Sequence, residues 1–140
     1  RVIWFHYPKI DMELRARQTH VPYNRGAAVG HGNVYVGTID GRLLALDMRN
    51  GKEVWSSQLV DSKKETIGFT GAPLVVKDMV IIGSQAGEWS TRGRIFAVDA
   101  KTGKERWKFW TVAGPENPEG MATWGGDSWK VGGGGGCCGN

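Results

Sequence analysis

The sequence predicts an all-β chain assembled from the four-stranded blades of a β-propeller, and three observations carry that expectation. Residues 45–55 recur at 97–107 in the frame A-x-D-x-x-(N/T)-G-x-x-x-W, displaced by 52 residues at every fixed position. A third tryptophan, Trp4, lies 51 residues before Trp55, so the same spacing reaches the start of the chain. Between these anchors run short apolar segments rich in branched residues, and no stretch long enough to compete keeps a helical period. A repeat of this length with four antiparallel strands is a propeller blade, whose strand edges stay short around a central axis.

Each element follows from its residues. In the first repeat Val29 marks the innermost strand, 34–37 the second and 43–46 the third. Residues 38–41 form the hairpin between the last two, carried by Asp40-Gly41. A polar turn spans 47–51, where Asn50-Gly51 is suited to positive φ. Glu53-Val54-Trp55 opens the outer strand. The second repeat reads the same way, with strands at 74–76, 80–83, 94–98 and 106–109. Trp4, Trp55 and Trp107 are expected to be structural. A flat indole on an outer strand lies between blades, against a neighbour's glycine and turn backbone, and its N–H needs a carbonyl.

The chain has 140 residues, about two and a half repeats, whereas a closed ring needs at least ~4 blades. It begins with Arg1 and with what reads as the outer strand of a preceding blade, so an internal portion of a larger protein is expected. No signal peptide or apolar run of transmembrane length is present in it. The formal charge of +4 comes from lysines and arginines scattered through turns such as 101–108. That distribution suits a solvated rim and argues against a nucleic-acid groove.

The two repeats differ at one hairpin. Gly37 and Gly41 are separated by three residues, but Gly83 and Gly93 by nine, Ser84 to Arg92. The extra length places a carboxylate, Glu88, among small neighbours, and loops on a rigid scaffold are where propellers hold ligands. Aligning 34–37 on 80–83 sets Asn24-Arg25-Gly26 opposite Thr70-Gly71-Ala72, each opening an inner strand. Thr123-Trp124-Gly125-Gly126 falls about one repeat later, where another inner strand should begin. Inner strands converge, so Arg25, Thr70 and Trp124 are expected around one central cavity. A guanidinium that pairs with carboxylate or ketone oxygens, a hydroxyl and an indole suit a flat, anionic, aromatic ligand.

These motifs resemble the quinoprotein alcohol dehydrogenases, the pyrroloquinoline quinone (PQQ) enzymes of the methanol and ethanol dehydrogenase type. The resemblance rests on Asn24-Arg25-Gly26, the loop ending in Glu88, Arg92-Gly93, both tryptophan repeats and the run from Thr123 through Gly134. It implies an early portion of an eight-bladed propeller over residues 1–134. By position it implies that Arg25 contacts the quinone oxygen and Thr70 a cofactor carboxylate. Gln85, Ala86 and Gly87 fall on the loop that approaches PQQ, Trp124 on the stacking indole, and Glu88 on the ligand of the metal, Ca²⁺ or a lanthanide. The implied reaction oxidises a primary alcohol to its aldehyde, with electrons passing to a cytochrome c in the periplasm. Peripheral association with the periplasmic face of the membrane belongs to the same implication.

Three departures qualify it. The adjacent cysteines that many members carry before Asn-Arg-Gly are replaced by Thr19 and His20, and the small-residue loop reads Gln-Ala-Gly-Glu. The aspartate base and the asparagine metal ligand come from later blades, so the isolated chain is expected to be inactive and to hold no catalytic residue. Beyond Gly134 the match ends, and residues 135–140, with Cys137-Cys138, read as a truncation or reading-frame artefact without metal-ligand or redox spacing. The rival expectation is a cofactor-free tryptophan-motif propeller that binds protein partners, for which Arg25, Thr70, Glu88 and Trp124 have no reason to occur together.

Overall fold

A computed structural model describes residues 1–10, 23–85, 87, 89 and 91–131. Its eight strands form two sheets in strict meander order. The first holds β1 (Ala28–Gly30), β2 (Asn33–Gly37), β3 (Arg42–Asp47) and β4 (Glu53–Gln58). The second holds β5 (Leu74–Val76), β6 (Met79–Gly83), β7 (Arg94–Asp99) and β8 (Glu105–Trp110). All neighbours are antiparallel, and the inner strands β1 and β5 lie side by side. The expected strands of the two repeats are present, each within a residue at its ends, and β4, expected to open at Glu53–Trp55, runs on to Gln58. Residues 1–10, expected to begin with the outer strand of a preceding blade, form no strand.

Pairing register decides which side chains meet. Tyr35 opposes Ala45 and Ala45 opposes Trp55, so all three point to one face of the first sheet. In the second sheet Val80 opposes Val98 and Ile82 opposes Phe96, and these four join that face in one core. Val60, Ile67 and Phe69, from the connection between the sheets, complete it. Phe69 and Phe96 meet edge to face at 5.8 Å, a favourable quadrupole arrangement. Gly37 lets the second sheet close in, since a Cβ there would lie 2.6 Å from Ile82 Cδ1 and from Phe69 Cβ.

The tryptophan repeat is explained by what its turn offers. Trp55 Nε1 donates to Ala100 O at 3.2 Å while its ring covers Gly103. One repeat earlier, Trp4 Nε1 donates to Met48 O at 2.9 Å while its ring covers Gly51. Both glycines have φ near +70°, which points the turn carbonyl toward the indole and leaves no Cβ beneath it. Asn50, also expected to take positive φ, does not; its Oδ1 instead accepts from the Lys52 amide at 2.9 Å. Tyr35 Oη donates to the same Ala100 carbonyl, so one oxygen receives a buried and a half-buried donor. Trp107 stays 41% exposed, and among the described residues no glycine turn receives it.

Each sheet carries an irregularity at the same place. Ala45 pairs with Trp55 but Leu46 with Glu53, and Ala97 pairs with Trp107 but Val98 with Glu105. The outer strand thus holds one residue more than its partner, Val54 in one blade and Arg106 in the other.

Beyond β8 the structure departs from expectation. Residues 123–126 do not open an inner strand; among the described residues no strand follows Trp110. Instead a short helix, α1 (Pro118–Met121), leads through a bend to a 3-10 turn at Ser128–Val131. Pro118 sits where a helix tolerates a missing N–H, and Gly126 takes φ +55°, which breaks an extended run. A segment with no described neighbouring strand to complete its backbone hydrogen bonds satisfies them locally.

The repeat aspartates fasten the turns electrostatically. The Arg106 guanidinium, then the Thr102 amide and hydroxyl, hold the Asp99 carboxyl far below the ordinary carboxylate range. Arg49 lowers Asp47 in the same way. A carboxyl depressed on folding adds stability above its unfolded value of about 4, and that stability drains away as pH falls toward the native value. Asp99→Asn should therefore lower the urea midpoint most at pH 5 and progressively less as pH falls below about 4, flattening the acid limb. A variant whose gap from the parent did not narrow with falling pH would refute this role.

Candidate functional site

The site begins at the turn leading into β1. Asn24 Nδ2 donates to Gly37 O at 2.9 Å, and its Oδ1 accepts from the Gly26 amide at 2.7 Å. The side chain thereby closes an Asx turn and ties it to β2. Arg25, held at the apex, reaches the second blade twice. Its amide donates to Thr70 O at 2.8 Å, and its Nη1 to Thr70 Oγ1 at 3.0 Å. Nη2 donates to Tyr23 Oη at 2.8 Å, with the guanidinium carbon 4.6 Å from the centre of that ring. Among the described residues two of its five N–H groups are used, and three remain for a ligand. The residue is solvent-exposed while Thr70 is buried, so the pair forms a charged mouth on a fixed floor.

The floor is positioned by the strand-like run before Thr70. Phe69 N donates to Thr38 O at 2.9 Å, and Gln85 N donates to Gly68 O at 3.0 Å. Residues 68–70 are thus threaded between the short hairpin of one blade and the widened hairpin of the other. Gly68 is obligatory in that passage, because a Cβ would lie 2.7 Å from Ile39 Cα with the Ile39 carbonyl closer still.

Of the residues expected to bind a cofactor, Arg25 and Thr70 are brought into direct contact. Gln85 is tied by its backbone to Gly68, two residues before Thr70, and its side-chain Nε2 is buried without an acceptor. Gly87 lies half-buried in the loop turn. Ala86 and Glu88 lie outside the described residues, as do Thr19, His20, Cys137 and Cys138. Trp124 is not brought to the others. It sits in the bend after α1, 36% exposed, its amide donating to Met121 O. Among the described residues no group of three or more His, Cys, Asp or Glu side chains is placed to hold a metal.

Among the described residues, unused cationic N–H groups in contact with a buried hydroxyl, and an orphaned amide donor on the residue tied to Gly68, fit a planar ligand bearing carboxylate or ketone oxygens. Sequence reasoning missed two contributors. Asn24 had been visible as the residue before Arg25, but its turn-closing role depends on β2 being adjacent. Tyr23 carried no signal, being one aromatic among many.

The PQQ_2 family model, described as outer membrane protein assembly factor BamB, matches residues 11–126. The quinohemoprotein alcohol dehydrogenase ADH IIB of Pseudomonas putida is 46% identical over 95% of this chain and 20% of its own length. The quinohemoprotein alcohol dehydrogenase of Comamonas testosteroni is 43% identical over similar shares, 95% and 20%. A solved europium-containing methanol dehydrogenase superposes with a TM-score of 0.85 at 33% identity, covering 96% of this chain and 26% of that one. The chain therefore spans about a fifth of the length of the curated relatives it matches.

Proposed function

We propose, given that this chain belongs to the quinoprotein (PQQ-dependent) alcohol dehydrogenase family, that it supplies early blades of an enzyme oxidising a primary alcohol to the aldehyde. The observation that supports this reading is the Arg25–Thr70 contact, with three guanidinium N–H groups left open beside it. Arg25 would hold a ring ketone oxygen and Thr70 Oγ1 a carboxylate of the cofactor. Gln85 Nε2 is the third donor, and Ala86 and Gly87 give the loop room to approach. Trp124 is proposed as the stacking surface, a role that requires residues 122–126 to leave their bend and join a further inner strand. Glu88 is proposed as the carboxylate ligand of Ca²⁺ or a lanthanide, oxygen being the donor that hard cations prefer. PQQ, when bound, supplies the two-electron acceptor that no side chain provides.

The protein's own share of the work is orientation. Arg25 is braced by Tyr23 and Thr70, so its remaining donors point in a fixed direction before a ligand arrives. The alcohol's proton is left to a base outside this chain, and the isolated 140 residues are proposed to be inactive. Two relatives are named quinohemoproteins, and another is named the dehydrogenase subunit of a quinone-linked alcohol dehydrogenase. Electron delivery to a cytochrome c, periplasmic location and peripheral membrane association are proposed on that footing. The described residues contain no helix long and apolar enough to cross a membrane. The cofactor-free scaffold reading draws on the description of the matching family model, but it leaves the open donors of Arg25 unexplained.

The test exchanges this chain for the matching segment of the P. putida ADH IIB relative and measures alcohol-dependent dye reduction with PQQ and Ca²⁺. The chimera should be active, and the chain alone inactive. Arg25→Ala in the chimera should weaken PQQ binding by about 10- to 100-fold, the worth of a charged hydrogen bond. A chimera that folds and melts cooperatively yet shows no alcohol oxidation would favour the scaffold.

A further inference from the structure

We propose that Arg92 is a positioning residue, the anchor that sets the conformation of the widened hairpin loop in the second blade. The loop leaves β6 through Ser84, whose amide donates to Arg94 O at 2.8 Å and whose Oγ accepts from Arg94 N at 2.9 Å. That pair closes the base of the hairpin. On the outgoing side the Gln85 amide is fixed to Gly68. On the returning side Arg92 leaves the loop altogether and docks into the segment that follows β8.

The dock is built from every direction. The Arg92 guanidinium lies 4.2 Å from the centre of the Trp110 ring. Nη1 pairs with Glu116 Oε2 at 2.7 Å, and Nη2 donates to Val112 O at 3.1 Å. Gly114 supplies the fourth side by lacking a side chain, since a Cβ there would fall 2.7 Å from Nη1. The pairing also holds the Glu116 carboxyl below its usual range. Arg94 sits 4.5 Å from the same Trp110 ring and reaches Glu65 in the connection between the blades, and Lys108 Nζ lies 5.6 Å from that ring, so three cations surround the indole. The Arg92 side chain is only 21% exposed, which is unusual for an arginine on a loop.

A surface ion pair by itself does little. A guanidinium stacked, forked and fitted over a glycine is different, because its planar group cannot move without breaking several contacts together. Six residues, 86–91, are then left between the Gln85 anchor and the Arg92 anchor. Short spans held at both ends sample few conformations. Glu88 lies in the middle of this span, so Arg92 would set the carboxylate's position without touching a ligand. That last step rests on the proposed metal role of Glu88; the anchoring does not.

Two measurements separate these statements, the first on this chain and the second on the chimera. Hydrogen exchange followed by mass spectrometry should show peptide 85–91 exchanging about tenfold faster in Arg92→Gln and in Gly114→Ala, with a smaller rise in Glu116→Gln. Lysine at 92 should not restore protection, since it cannot fork. If exchange rises only in 111–117 while 85–91 is unchanged, Arg92 merely fastens the later segment and the proposal fails. Glu116→Gln alters a half-exposed residue and keeps this arm decisive should Arg92→Gln not fold. The second arm titrates Tb³⁺ into the chimera with the P. putida relative, which restores the later-blade ligands, with emission sensitised by the neighbouring Trp89. Affinity should be lost in Glu88→Gln and fall about tenfold in Arg92→Gln. Absence of Tb³⁺ binding by a folded chimera would overturn the metal role of Glu88 while the exchange result still decides the anchor.

Discussion

Gly68→Ala is expected to cost the chain about 3 kcal/mol or more, a large share of the ~5–15 kcal/mol that holds a domain of ordinary stability. The cause is contact between backbones. A Cβ at 68 meets the Cα and carbonyl of Ile39, atoms with no rotamer to yield. To make room, residues 67–70 must withdraw from the first hairpin. That motion would unseat Ile67 and Phe69, both fully buried in the core. It would also break the Phe69 amide bond to Thr38 and the Gln85 amide bond to Gly68. Thr70 moves with them, so the Arg25 contact is lost together with stability. Urea denaturation would report the first effect and the NMR signal of the Arg25 side chain the second. Gly125→Ala, where a Cβ meets nothing within 4 Å, is the matched control and should leave the midpoint unaltered. An unshifted midpoint in Gly68→Ala would refute the threading of 68–70 between the hairpins.

Trp55→Ala should cost about 4 kcal/mol, and Trp107→Ala about 1 kcal/mol, although the two occupy the same position in the repeat. Trp55 packs on Tyr35 at 5.8 Å, covers Gly103 and donates to Ala100. Removing it opens a hole between the sheets that neither strand can collapse to fill. Trp107 is 41% exposed and has no such turn among the described residues. The comparison isolates docking from residue type, because both substitutions remove the same atoms. Equal losses in thermal melts would show that the indole acts within its own blade and would sink the interblade account.

Strand order was legible because its signals are local. Period-two apolar runs and glycine turns fix β2, β3, β6 and β7, and the repeated frame fixes their relation to Trp55 and Trp107. The Arg25–Thr70 contact was reachable as well, since aligning the two repeats puts both residues at the mouth of an inner strand. What failed was extrapolation past Trp110. The repeat places Thr123 at an inner strand, yet strand formation there depends on a neighbour to pair with, and composition alone favours Pro118-led helix and glycine turns. The Arg92 dock was equally out of reach. Its parts come from residues 92, 110, 112, 114 and 116, and only the path taken by the chain after β8 brings them around one guanidinium.

The extra residue in each outer strand has a consequence for aim. Side chains alternate sides along an extended chain. Were Val54 paired in register opposite Ala45, Trp55 would fall opposite Leu44 and its indole would project away from the neighbour it now clasps; held out of the ladder, Val54 leaves Trp55 opposite Ala45. Val54 and Arg106 thus hold the same place outside the ladder with different chemistry, Val54 half-exposed and Arg106 paired with Asp99 and Asp78 across the turn.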